Sequence, residues 1–189
     1  MGLKVIIMSD IKKILRELEV YNENMYMFNI KPDSGKFLHL LVKVKRPKNI
    51  IEIGTSNGYS TILLASADKK TKVYTIEIDD KKVEMAKNNF KKAGLKNIEL
   101  LHGDALKVLK KFNVKVDMIF LDAVKKDYIK YIKLLEKNMN PCCLIIADNI
   151  ISHSEKVDSY LGYVKKKYSS ETLQIGAGLE MSVRCTSTI

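Results

Sequence analysis

Five short apolar runs alternate along this chain with stretches of helical period, and that alternation limits its fold more than any other feature. The runs are Asn49–Ile53, Lys72–Ile78, Asn97–Leu101, Val116–Leu121 and Cys143–Ala147, most of them rich in Val and Ile. Between them, helix-period stretches cover 58–67, 80–93, 105–113 and 125–139, with Gly94 as the stop behind the second. Strands separated by helices of this length are joined by crossovers, which makes the sheet parallel. Strands that are apolar on both faces place helices on both sides. Ahead of them, Ile11, Ile14, Leu15 and Leu18 mark a helix with Ser9 and Asp10 as N-cap candidates. Pro32-Asp33-Ser34 opens a second helix with Phe37, Leu38, Leu41 and Val44 on one face, and Pro47 closes it. Past residue 150 come a helix over 154–168 and strands over 171–175 and 180–186, joined by Gly176-Ala177-Gly178 as an edge hairpin. The predicted architecture is one α/β domain over 1–189: a doubly wound, mostly parallel seven-stranded sheet with an antiparallel C-terminal hairpin. Residues 1–47 form an N-terminal helical cap and 48–189 the core.

The composition excludes several other classes. At 189 residues and 46% hydrophobic content the chain can bury one full core, and no apolar run approaches the ~20 residues of a membrane span. The apolar stretch near Met1 is too short for a signal peptide and no small-residue cleavage site follows it. Cys142, Cys143 and Cys185 are odd in number and form no CxxC pair, which points to a reducing, cytoplasmic address with Cys142 and Cys143 as buried thiols. Lys+Arg number 33 against 22 Asp+Glu, a net charge of +11. Only Arg16, Arg46 and Arg184 are arginines, and the remaining 30 lysines are spread over every helix, as on a solvated surface.

In an open parallel sheet, ligands bind beyond the carboxyl ends of the strands. Here those ends are polar: Glu52-Ile53-Gly54-Thr55-Ser56-Asn57-Gly58-Tyr59-Ser60, Glu77-Ile78-Asp79, Gly103-Asp104-Ala105, Asp122-Ala123 and Asp148-Asn149. A single acid at such a place is usually a helix cap, the reading preferred for Asp79 or Asp80 and left open for Asp148 and Asn149. Five in series point to a ligand site. The first segment is Glu-x-Gly-x-x-x-Gly, without the Lys-Ser/Thr of a triphosphate loop. Glu77 lies 19 residues past Gly58, a spacing at which an acid can grip ribose hydroxyls. An acidic turn of this type favours a neutral or cationic nucleoside, and the sulfonium S-adenosylmethionine fits.

Several ordered motifs make this chain resemble the class I S-adenosylmethionine-dependent O-methyltransferases of the catechol and caffeoyl-CoA type, over roughly residues 29–186. Asn49–Ser60 is similar to the family's Leu-Glu-x-Gly-x-x-x-Gly-Tyr-Ser. Thr75–Ile78 is similar to its ribose-binding acid segment, and Gly103-Asp104-Ala105 to its adenine-side loop. Phe120–Tyr128 is similar to Phe-x-Asp-Ala-x-Lys-x-x-Tyr, and Asp148-Asn149 to its Asp-Asn pair. The resemblance implies a Rossmann-like fold and roles by position. Glu52, Gly54, Thr55, Gly58, Tyr59 and Ser60 would hold the methionyl end, flanked by Asn29 and Gly35 from the cap. Glu77 would take the ribose, with Ile78, Gly103, Asp104 and Ala105 about the adenine, and Asp122 beside the cofactor. Asp122, Asp148 and Asn149 would ligate Mg²⁺ or Ca²⁺, and Lys125 would be the general base. Lys125, Asn149, His153 and Glu180 would meet the acceptor, and a homodimer is implied. Pro141-Cys142-Cys143 and Ala177 depart from the family's usual Gly-Gly and Asp.

Three hard oxygen ligands suit Mg²⁺ or Ca²⁺ and leave positions open for substrate oxygens. The expected acceptor is a small catechol-like or vicinal-diol hydroxyl. The alternative is a tRNA nucleoside hydroxyl, which the +11 charge favours and the scarcity of arginine opposes. A non-catalytic cofactor-binding role fits the Asp122, Lys125, Asp148 and Asn149 set least. Tyr128 is expected in the core, and His39 and His102 in structural roles.

Overall fold

The structure is a computed structural model that describes residues 2–25, 27 and 29–184. Its elements run α1 (Gly2–Met25), α2 (Pro32–Lys45), β1 (Asn49–Ile53), α3 (Tyr59–Ala67), β2 (Lys72–Glu77), α4 (Asp80–Lys92), β3 (Ile98–His102) and α5 (Ala105–Lys111). Then come β4 (Val116–Leu121), α6 (Tyr128–Leu135), β5 (Met139–Asp148), α7 (Ser154–Lys167), β6 (Ser169–Leu173) and β7 (Leu179–Val183). The seven strands form one sheet in the order β3-β2-β1-β4-β5-β7-β6. The first five are parallel, and β7 inserts antiparallel between β5 and β6. The order reverses beside β1, so a crevice opens beyond the ends of β1 and β4, the switch point at which ligands bind in such sheets.

Strand residues alternate between two cores. Ile51, Ile53, Ile119, Leu121, Ile145 and Ala147 pack toward α5, α6 and α7, and their neighbours Ile50, Met118, Phe120, Leu144 and Ile146 pack toward α1 to α4. This period of two, with helices on both faces, explains why β1, β4 and the end of β5 read as mainly apolar runs. Asp79 caps α4 by accepting from the Lys82 N–H, and Asp104 caps α5 by accepting from that of Lys107.

Several boundaries differ from expectation. α1 begins at Gly2, so Ser9 and Asp10 lie inside the helix and not at its N-terminus; residues 3–8 hold no helix breaker. The buried face of α2 is Ser34, Gly35, Leu38 and Val42, whereas Val44 is 74% exposed. The expected helix over 125–139 is three pieces: a 3₁₀ turn at Lys125–Asp127, α6, and a second 3₁₀ turn at Glu136–Asn138. β5 starts four residues early at Met139 and shifts register against β4. Cys142 there has a positive φ of 57° and is exposed, so only Cys143 is a buried thiol. Cys185 lies outside the described residues. The hairpin strands each sit one or two residues earlier than expected. No helix among the described residues is long and apolar enough to cross a membrane.

Candidate active site

The strand ends open into a cleft of about 1100 Å³. Of the residues singled out from sequence, Asn29, Gly54, Thr55, Ser60, Glu77, Ile78, Gly103, Asp104, Ala105, Asp122, Lys125, Asn149 and His153 line it. Gly35, Glu52, Gly58, Tyr59, Asp148 and Glu180 do not.

On the β1–β2 side, the turn after β1 is held by the Gly54 and Thr55 N–H groups donating to the Ile76 carbonyl. Gly54 has φ +102°, and a Cβ there would fall 2.2 Å from the backbone oxygen of Asp122. This glycine is required by the close approach of the β1 and β4 ends, beyond any room it leaves a ligand. Gly58, at φ +90°, likewise lies against the Phe90 ring. Glu77 accepts from Ser56 N–H at 2.8 Å on one carboxylate oxygen and from Ile78 and Asp79 N–H at 2.9 and 3.0 Å on the other. Its first oxygen keeps a lone pair for a ligand. Ser56 Oγ donates to the Met27 carbonyl at 3.0 Å, which ties the cap to the turn and brings Asn22, Met27 and Asn29 over the cleft.

Glu52 lies beneath this turn and not in the cleft. It is fully buried and accepts from Ser60 Oγ and Thr75 Oγ1, each at 2.6 Å, and from Thr61 Oγ1. Burial pushes its carboxyl up to about 7 against the pull of these three hydroxyls. Thr75 and Thr61 were missed from sequence. The available signal was polarity inside an apolar strand, since Thr75 lies in register with Glu52. Tyr59 also points away: it is 3% exposed and its hydroxyl donates to Glu19 at 2.5 Å. Gly35 packs under Leu63 and Tyr59, away from the cleft lining.

On the β4–β5 side, Lys125 Nζ contacts Asp122 Oδ1 at 2.7 Å, both side chains being nearly buried. Burial raises the Asp122 carboxyl, opposed by the Lys125 charge. Asp148 is 1% exposed, and its Oδ1 has no hydrogen-bond partner. Burial first, and the Asp122 charge second, push it up to about 7. Tyr128 is buried in the core as expected, and its hydroxyl donates to the carbonyls of Leu121 at 3.0 Å and Asp148 at 3.3 Å, joining the two strand ends. Asn149 follows at φ 65°, and His153 stands at the start of α7 with Ser152 Oγ 3.0 Å from its Nδ1. Neither Asp148 nor Asn149 caps α7 with its side chain. Among the described residues no three His, Cys, Asp or Glu cluster as a metal site, so a cation here would rest on two carboxylates, one amide and ligand oxygens. The orphaned Asp148 oxygen and the hard donor set fit a divalent cation of the Mg²⁺ or Ca²⁺ kind.

Glu180 stands outside the cleft lining. It is fully buried on β7, accepts from Ser170 Oγ at 2.6 Å and from Thr172 Oγ1, and lies 4.0 Å from Lys165 Nζ. Its partners on β6 draw it away from the cleft. Lys31, Lys82, Lys126 and Lys156 line the cleft without having been singled out, one lysine resembling another in the sequence.

A sequence profile described as O-methyltransferase matches residues 6–175. A catechol O-methyltransferase of Niastella koreensis is 36% identical over 140 residues, covering 71% of this chain and 63% of its own length. A caffeoyl-CoA O-methyltransferase of Populus trichocarpa is 36% identical over 127 residues, covering 63% and 51%. The chain thus spans less than two thirds of either relative. The crystal structure of an O-methyltransferase from Bacillus cereus in complex with SAH superposes with a TM-score of 0.81 at 28% identity, covering 91% of this chain and 90% of that one.

Proposed function

The chain belongs to the O-methyltransferase family, and from that premise we propose that it transfers a methyl group from S-adenosylmethionine to a hydroxyl of a small catechol-like or vicinal-diol acceptor, with divalent-metal assistance. One observation carries the reading: a single cleft has a ribose-competent acid, Glu77, on one side and the Lys125–Asp122 pair on the other, with the buried, unpartnered Asp148 oxygen at the neighbouring strand end.

S-adenosylmethionine, when bound, supplies an electrophilic methyl group on a cationic sulfonium. Glu77 accepts from its ribose hydroxyls, while Ile78, Gly103, Asp104 and Ala105 surround the adenine. Thr55, Ser60, the Gly54 backbone and Asn29 take the amino-acid tail. Asp122, Asp148 and Asn149 would hold a divalent cation, which would supply Lewis-acid polarisation of the acceptor hydroxyls. Lys125 Nζ receives the proton of the reacting hydroxyl, for which it must act as a free amine, released from Asp122. The deprotonated acceptor oxygen would take the methyl group as the sulfonium–methyl bond breaks, with S-adenosylhomocysteine as the leaving group. His153 and Asn149 line the acceptor end of the cleft. The enzyme's contribution is alignment, exclusion of water and fixed charge.

The test is transfer of labelled methyl in Mg²⁺ to a panel of catechols and caffeoyl esters, with unmodified tRNA in a parallel reaction. Label in the small-molecule panel that disappears with chelator is the expected result. Label in RNA alone overturns the acceptor class, and full activity in chelator removes the metal from the scheme.

A further inference from the structure

The segment between β5 and α7, residues 149–153, brings Asn149 and His153 to the cleft, yet it has little packing of its own. Of its five residues only Ile150 is buried, and Ile151 is half exposed. Asn149, which opens it, stands at φ 65°, a left-handed conformation that an L residue keeps only where its surroundings impose it.

The turn between β6 and β7 imposes it. The Ile150 N–H donates to the Gly178 carbonyl at 3.0 Å, and the Ile151 and Ser152 N–H groups both donate to the Ala177 carbonyl at 3.2 Å. The His153 N–H then closes the loop on itself by donating to the Asn149 carbonyl at 3.0 Å. Three successive backbone donors, which would otherwise need water, are answered by two carbonyls of a turn on the far side of α7 in the chain. The fit leaves no slack. Gly178 has φ +92°, and a Cβ there would fall 2.5 Å from Ile151 Cγ1 and 2.7 Å from the Ile151 nitrogen. Behind the turn, a Cβ on Gly176 would fall 2.1 Å from Ser34 Oγ of α2, so the turn is seated from that side too.

We propose that Ala177 and Gly178 are positioning residues: by holding the backbone of 150–152 they set where Asn149 and His153 stand at the acceptor end of the cleft. The inference rests on the proposed function, in which Asn149 holds the cation and both residues meet the acceptor. Neither Ala177 nor Gly178 lines the cleft, so their effect reaches it only through the loop. Groups that orient a cation's ligands govern its affinity although they never touch it, and a small misplacement at a reacting centre is felt strongly.

The experiment compares two alanine substitutions at left-handed glycines. Gly178→Ala drives the turn and the loop apart. Gly94→Ala, behind α4, carries a similar backbone strain at φ +63° with nothing within 4 Å of its Cβ, and controls for lost stability alone. Mg²⁺ is titrated calorimetrically into each full chain saturated with S-adenosylhomocysteine, S-adenosylhomocysteine is titrated separately, and KM for catechol is measured. In Gly178→Ala the Mg²⁺ affinity should fall and the catechol KM rise, each about tenfold or more. S-adenosylhomocysteine should bind that variant within about twofold of the unmodified protein, and in Gly94→Ala all three values should stay within about twofold. If Gly178→Ala does not fold, amide exchange in the unmodified protein decides. The Ile150, Ile151 and Ser152 N–H groups should exchange far more slowly than those of an unstructured peptide, and exchange at the peptide rate overturns the proposal. Equal loss of Mg²⁺ affinity in the two variants, or loss of S-adenosylhomocysteine in step with Mg²⁺ in Gly178→Ala, would assign the turn a purely structural role and overturn it as well. If the unmodified protein binds S-adenosylhomocysteine but takes up neither Mg²⁺ nor catechol, the proposed function falls at its acceptor end and this inference with it. If it takes up both and Gly178→Ala takes them up equally, only the positioning role falls.

Discussion

The two sides of the cleft treat buried carboxylates in opposite ways. On the β1 side Glu52 is enclosed by three inward hydroxyls and accepts all three. On the β4–β5 side Asp122 leans on one lysine, and Asp148 keeps an oxygen with no partner at all. Both Glu52 and Asp148 are pushed up to about 7, by burial above all. The difference is whether the chain itself answers the charge. Where it does, the carboxylate organises its neighbours; where it does not, an oxygen is left without a partner, the place at which the proposed cation would bind.

The largest expected effect breaks both sides at once. Gly54→Ala places a methyl 2.2 Å from the Asp122 carbonyl at a φ that L residues avoid, and should cost on the order of 3–5 kcal/mol in denaturant unfolding. Next, Lys125→Ala separates the sides by task. Methyl transfer should fall about 10²–10⁴-fold in single-turnover assays, the range of a lost general base, while S-adenosylhomocysteine binds within about twofold.

The third prediction concerns the unanswered charge. A carboxyl held near 7 in the folded state, against an ordinary 3.8, binds its proton more tightly folded than unfolded. Folding therefore loses stability as pH rises through that window and levels off above it. Asp148→Asn should flatten this slope and stabilise the metal-free protein at pH 8 by roughly 2–3 kcal/mol, read from melts at pH 5 and pH 8. Millimolar Mg²⁺ should raise the melting temperature of the unmodified protein at pH 8 by about 2–4 °C and leave Asp148→Asn unmoved; equal shifts in both would place the cation elsewhere. The smallest effect belongs to Tyr128→Phe, which removes the hydroxyl joining Leu121 and Asp148. It should lower stability by about 1 kcal/mol, with divalent affinity reduced and the Glu52 side unaffected.

The strand–helix alternation was readable because every parallel strand ends at a glycine, acid or amide that also marks the turn. The acids at the strand ends were readable for the same reason; Glu77, Asp104 and Asp122 line the cleft, whereas Glu52, Asp79 and Asp148 do not. Side-chain direction was not. Glu52 and Glu180 look like ligand-facing acids in the sequence, yet each is drawn inward by threonines or serines on a neighbouring strand, Thr75 for one and Ser170 and Thr172 for the other. Those pairings are set by register between strands distant in sequence, which no local pattern carries. Val44 was misplaced because α2 buries a narrow stripe through Leu38 and Val42, and its period alone does not say which stripe.

For anyone redesigning this protein, the contact between Gly54 and the Asp122 backbone has a practical meaning. The proposed donor half and the proposed acceptor half of the cleft meet at a single missing methyl group, so they are not independent modules. A library that varies residues 55–58 to change the cofactor, or 122–125 to change the acceptor, can leave the other half intact only while position 54 keeps its bare Cα. Grafting one half onto another scaffold would have to carry that seam with it.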